Sequence, residues 1–197
     1  MKPNKPSRIV ISTRNAGKLA EIHALVALES VQFLALDAFP GAPEVEEDRD
    51  TLRGNAAKKA ELIMEFTGLP ALADDTGLEV DALDGAPGVW SARYAGEHCT
   101  PADNRRKLLH SLRDTEHRSA RFRTVLALAT PEGTHFFDGT CEGHITRNER
   151  GSGGFGYDAI FQPADHSTTF AQMDAETKNA ISHRGRALAA FVAWMTA

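Results

Sequence analysis

A basic excess is missing from this chain. Its 22 lysines and arginines stand against 27 aspartates and glutamates, a formal net charge of −5 over 197 residues. No general positive field is available to gather nucleic acid, so no nucleic-acid partner is expected, although a local basic patch could still hold a small anion. Cysteine is nearly absent as well. Cys99 and Cys141 form no close pair and no metal-ligand spacing, which reads as two reduced thiols in a cytoplasmic protein rather than a disulfide framework. Long apolar runs are also lacking. The run that follows the polar start, Met1 to Ser7, is far too short for a signal or membrane helix, and no membrane partner is expected. Repeats, low-complexity tracts and linkers are not found. What is left is an ordinary globular composition, long enough for one large domain or two small lobes with a sizeable core.

The chain is organised around Leu69–Val80. A short apolar run leads into Asp74 and Asp75, after which Thr76-Gly77 reads as a turn. In an α/β protein the C-terminal end of a buried strand is where ligands sit. Neighbouring strand residues face opposite ways, so at most one of the two carboxylates is expected to point into a ligand crevice. Two carboxylates this close resist joint ionisation unless a cation compensates, and a hard divalent metal suits them. Asp-Asp-Thr-Gly taken by itself fits a polar turn equally well.

Upstream, Arg8–Ser12 reads as a buried strand, and Leu19, Ile22, Leu25 and Val26 repeat at helical spacing to about Glu29. Thr13 or Asn15 should cap that helix, whose free N–H groups make an anion site to which Lys18 adds a full charge. The glycine pattern of a Walker A loop is missing. A second strand is expected over Val31–Leu36. A helix over Thr51–Thr67 follows an acidic segment containing Glu44, Glu46, Glu47, Asp48 and Asp50. Acids ahead of a helix suit its positive end, which accounts for most of that cluster. Lys58 and Lys59 read as solvated, although Asn55 and Lys59 fall one turn apart on one face.

Thr100-Pro101 starts a helix to about Arg113, with Arg105, Arg106 and Lys107 on a solvated face. Arg118–Thr130 and Thr134–Ile145 form a hairpin around Pro131-Glu132-Gly133, which implies a mixed sheet with the hairpin in a second lobe. In Gly151–Asp158 four glycines let backbone approach a ligand closely. Phe155 and Tyr157 offer a surface for a flat ring, and Asp158 a directional acceptor. Lastly, Ser182 should cap a final helix bearing Leu188, Phe191 and Val192. His183 and Arg184 then fall in its first turn, where cations are disfavoured and an electron-rich ligand would explain them.

Together these pieces resemble the inosine/xanthosine triphosphate pyrophosphatase family, which removes non-standard purine nucleotides. The matching stretches are Thr13–Lys18, Asn55-Ala56 with Lys59-Ala60, Ala73–Leu78, Gly85–Gly88 with Ser91–Tyr94, Gly153–Asp158, and Lys178 with Ser182–Gly185. They occur in the family's order from about residue 8 to residue 190. Gly54 departs from the usual glutamate before Asn-Ala, and Ala159 from the usual proline after the aspartate.

The resemblance implies an elongated mixed α/β fold, a mixed β-sheet flanked by helices, with two lobes, a nucleotide cleft between them and no separable linker over residues 1–197. It also implies Mg²⁺ dependence and a homodimer. By position, Thr13, Arg14, Asn15, Ala16, Gly17 and Lys18 would hold the triphosphate. Asp75 would activate water and bind metal, with Asp74 and Glu46 or Glu47 assisting, and Thr76 would touch the substrate. Phe155, Gly156, Tyr157 and Asp158 would form the base pocket with Lys178, His183 and Arg184. The reaction implied takes dITP, ITP or XTP to the monophosphate and pyrophosphate. A regulator that held the nucleotide without hydrolysing it would have no need of the paired acids. A relative acting on modified pyrimidine nucleotides would be marked by inactivity on inosine triphosphate.

Overall fold

The computed structural model describes residues 5–197. Among them run β1 (Arg8–Ile11), α1 (Ala16–Leu25), β2 (Gln32–Ala35), α2 (Leu52–Thr67), β3 (Ala71–Val80), β4 (Pro87–Gly88), α3 (Pro101–Ser111), β5 (Ser119–Thr130), β6 (Gly133–Ile145), β7 (Phe161–Pro163), α4 (Ala175–Ile181) and α5 (His183–Thr196). The strands form a mixed sheet in the order β2-β1-β3-β5-β6-β7, with β4 attached to β3. β1 pairs in parallel with β2 and β3, whereas β3–β4 and β6–β7 are antiparallel. The mixed α/β class expected from the alternating strand and helix signals is what forms. Among the described residues no helix is long and apolar enough to cross a membrane.

The chain falls into two compact units built from interleaved segments. The first holds the described residues up to Asp75, then Thr124–Gly139 and Gly185–Ala197. Its strand β1 is buried on both faces, as the unbroken Ile9-Val10-Ile11 run requires. Because successive side chains alternate, Ile9 and Ile11 pack with Ile22 of α1 and Leu188 and Phe191 of α5, while Val10 packs with Ile63 of α2. The second unit holds Thr76–Arg123 and Thr140–Arg184. Leu78, Val80, Leu108, Leu112, Ile145 and Ile160 surround an aromatic group there. In that group Phe122 meets Phe161 edge-on at 4.7 Å between ring centroids.

Three expectations change. The Asp-Asp-Thr-Gly stretch is no turn: β3 runs straight through it to Val80. Extension past Gly77 is secured because Leu78 N–H donates to Ser91 Oγ at 2.9 Å and Leu78 and Glu79 pair with Gly88 and Pro87. The β5–β6 hairpin does not make up the second unit alone. Its tip, Thr124–Gly139, belongs to the first unit because Leu126, Leu128 and Phe137 pack with α5. The first helix also stops at Leu25, where Val26 turns extended, and does not reach Glu29.

Candidate active site

In the first unit the polar residues gather at the end of β1 and inside β3. Asn15 caps α1, its side chain accepting from Lys18 N–H at 3.1 Å, and Thr13 Oγ1 accepts from Asn15 N–H at 3.2 Å. Both side chains therefore shape the loop that opens the helix. The first-turn N–H groups of Ala16 and Gly17 have no carbonyl within their own helix to bond, the condition for an anion site. Arg14 turns the other way and donates to Ala42 O at 2.8 Å. Lys18 reaches back, its ammonium 3.0 Å from Asp74 Oδ2.

Both carboxylates of the pair are buried, Asp75 to 4% exposure. Lys18 compensates Asp74, and the cation beside Asp75 is Lys59, which was expected in solvent. Its ammonium lies 2.5 Å from Glu47 Oε1, 2.6 Å from Asp74 O and 3.5 Å from Asp75 Oδ1. Burial would push the Lys59 ammonium down, and the charges of Asp75, Glu47 and Asp74 outweigh it and hold it raised. The spacing signal was present: Asn55, Ala56, Lys59, Ala60 and Ile63 are the buried face of α2, so Lys59 sits inside an apolar stripe.

Burial pushes the Asp75 carboxyl up to about 6, with the charge of Glu47 adding to the rise. Lys59, Lys18 and a hydrogen bond from Asn55 pull against it. A carboxyl so placed is mostly ionised at neutral pH, yet basic enough to accept a proton from an attacking water there. Of the acidic segment only Glu47 enters this group. Glu46 is exposed, and it is its backbone carbonyl that receives Lys58 at 2.9 Å. Asn55 fixes the segment by bonding both backbone groups of Arg49, at 2.9 and 3.4 Å. At the departing Gly54 an added Cβ would lie 2.9 Å from Arg49 Cβ, so the Arg49 side chain packs over that position.

The second unit gathers the remaining expected residues. Asp158 accepts at Oδ2 from Lys178 Nζ and from Phe155 N–H, both at 2.8 Å, and so holds the glycine-rich loop to α4. Gly154 is required for that contact, since it has φ +68° and a Cβ there would fall 2.1 Å from Asp158 Oδ2. Tyr157 is not a free ring face. It is buried, its hydroxyl donates to Ser91 O at 2.8 Å, and burial pushes that hydroxyl up so that it stays protonated. The exposed ring is Phe155, at 36%, with Lys178 Nζ 4.9 Å and Arg184 Cζ 5.7 Å from its centroid. Arg184, 1% exposed, donates to Thr76 Oγ1 at 3.1 Å. His183 stacks on Phe122 at 4.5 Å and 16°. The first turn of α5 thus buries His183 and Arg184 among aromatic rings and a hydroxyl. The two clusters belong to different units and are joined in sequence by the peptide bond from Asp75 to Thr76.

The family model for the Ham1 family matches residues 9–194. The chain is 51% identical to a dITP/XTP pyrophosphatase of Desulforamulus reducens, covering 92% of each protein. It is 50% identical to one of Geobacter sulfurreducens, covering 93% of this chain and 94% of the relative. A solved HAM1 protein from Coxiella burnetii superposes with a TM-score of 0.88 at 43% identity, over 96% of this chain and 98% of the other.

Proposed function

The chain belongs to the Ham1 family, and on that premise we propose that it hydrolyses non-standard purine nucleoside triphosphates (dITP, ITP and XTP) to the monophosphate and pyrophosphate. The observation that carries this reading is the buried pair Asp74 and Asp75, with Lys18 on the first, Lys59 on the second and the Asp75 carboxyl raised to about 6. Asp75 takes the proton of a water that attacks the α-phosphorus, and Lys59 holds the carboxylate in place. Lys18 and the N-terminus of α1 receive the charge that builds on the departing pyrophosphate.

Mg²⁺ fits the donor set, which offers hard carboxylate oxygens from Asp74, Asp75 and Glu47. Among the described residues no group of three such side chains could hold a metal by itself. Asp75, with Asp74 or Glu47, would supply one or two ligands of the ion. When bound, it neutralises phosphate charge and makes water more acidic.

Base choice falls to the second cluster. Phe155 stacks on the purine, and donors on Lys178, His183 and Arg184 meet the 6-oxo acceptor of hypoxanthine or xanthine. Adenine presents a donor there, leaving buried donors unmatched. The reading includes a homodimer, supported by Leu62 and Phe66, 37% and 47% exposed and one turn apart on α2. It also includes a cytoplasmic location, supported by the two free thiols.

The test is pyrophosphate release from dITP, ITP, XTP, dGTP and ATP, each with Mg²⁺ and with EDTA. Metal-dependent release from the first three, with little from dGTP and ATP, is expected. Tight nucleotide binding without release from any would replace the enzyme with a binding protein.

A further inference from the structure

Arg105, expected on a solvated face of α3, is instead largely covered. Its side chain is 18% exposed, and its guanidinium spans the glycine-rich loop. Nε and Nη2 bind the two carboxylate oxygens of Glu149 at 2.9 and 3.2 Å, and Nη1 donates to Gly156 O at 2.8 Å. Glu149 stands where the chain enters the loop, and Gly156 stands between Phe155 and Tyr157. One planar fork therefore closes the loop from entrance to tip, which a lysine ammonium cannot reproduce. The platform beneath it is fixed. A capping box joins Thr100 and Asp103 at the start of α3, and Asn104 binds Ala95 N–H at 2.7 Å and Ala92 O at 3.0 Å.

The hold matters because of what it fixes. Gly156 has φ +60°, within a run where Gly151 and Gly154 also take positive φ. Such backbone has many accessible conformations, and holding the Gly156 carbonyl selects one. Phe155 is attached directly before that residue, and its N–H is already tied to Asp158. With Gly156 O anchored, the backbone that carries the Phe155 ring is held on both sides.

We infer that Arg105, oriented by Glu149, is a positioning residue for base recognition, acting through the Gly156 carbonyl to keep Phe155 in its stacking position. This rests on the nucleotide reading above. Arg105 touches neither the purine nor the reacting atoms, so its loss lowers the fraction of molecules able to receive the base, and apparent affinity falls by that fraction.

The test compares Arg105→Ala, Arg105→Lys and Glu149→Gln with the unaltered protein. For Arg105→Ala, KM for dITP should rise about tenfold while kcat changes less than about twofold. Inhibition by inosine monophosphate should weaken by the same factor as KM rises. Inhibition by inorganic pyrophosphate, which has no base, should stay unchanged, whereas general damage to the fold would move both. Arg105→Lys and Glu149→Gln should fall in the same direction by less. Glu149→Gln should add nothing once Arg105 is gone, which marks the two as one unit. An unchanged KM in both Arg105→Lys and Glu149→Gln, or equal weakening of both inhibitors, would overturn the assignment. If the unaltered protein released no pyrophosphate from dITP, ITP or XTP, the pyrophosphatase reading would fall. Arg105 would then be judged on calorimetric affinity for inosine monophosphate alone.

Discussion

Asp75 carries a cost that its position imposes. In metal-free protein its carboxyl sits at about 6, against an ordinary aspartate value of 3.8. Below pH 3.8 folded and unfolded chains are both protonated there and nothing is lost. As pH rises from 3.8 to about 6 the unfolded chain ionises first, and stability falls. Above that window the penalty is constant, about 3 kcal/mol. Calorimetry in EDTA should therefore find Asp75→Asn melting above the unaltered protein at pH 8, with the gap closing toward pH 4. A variant that melts lower at pH 8 would contradict this. Lys59 is expected to behave oppositely. Lys59→Met leaves Glu47 and Asp75 without their shared cation, and urea unfolding should report a loss of about 3–5 kcal/mol. Adding Asp75→Asn to that chain should stabilise it by more than Asp75→Asn stabilises the unaltered protein, and equal gains in the two backgrounds would deny the coupling.

At the scale of elements, two segments decide the chemistry: β3, and the loop Gly151–Asp158. Reading Thr76-Gly77 as a turn followed local propensity, and tertiary bonds override it: Ser91, thirteen residues on, receives the Leu78 N–H. The caps were legible because they are local. Asn15, Thr51 and Thr100 each bond within three residues of themselves, and the sequence offered each as a helix start. Arg105 was not legible, because its carbonyl partner Gly156 lies 51 residues away. Lys59 stood in between. Its spacing from Asn55 was visible, but the acids that neutralise it come from separate segments. For the loop itself, Gly154→Ala forces a Cβ against Asp158 at a positive φ. KM for dITP should rise about tenfold or more, the equivalent of roughly 1–3 kcal/mol of backbone strain. A KM close to that of the unaltered protein would mean that the loop accepts another path.

Over the whole molecule, the chain passes from one compact unit to the other after Asp75, Arg123, Gly139 and Arg184. No single cut releases either unit as one continuous piece. The alternation of strands and helices made the α/β class readable from sequence. This division was not, because it runs through the middle of β3, β5 and β6, where side-chain periodicity does not change. Two of the crossing points are themselves site residues, Asp75 and Arg184, each the last of its segment. The acids and lysines of the first unit and the aromatic and cationic groups of the second thus meet in the chain at Asp75–Thr76, and chemistry is assigned to one cluster and base choice to the other. That separation is tested most directly by Asp75→Asn, following single-turnover pyrophosphate release from dITP with Mg²⁺ beside calorimetric dITP affinity. The rate should fall by about 10³-fold, within the range of a lost general base, with affinity little changed. A variant that releases pyrophosphate at close to the original rate would contradict the assignment of Asp75 as the base.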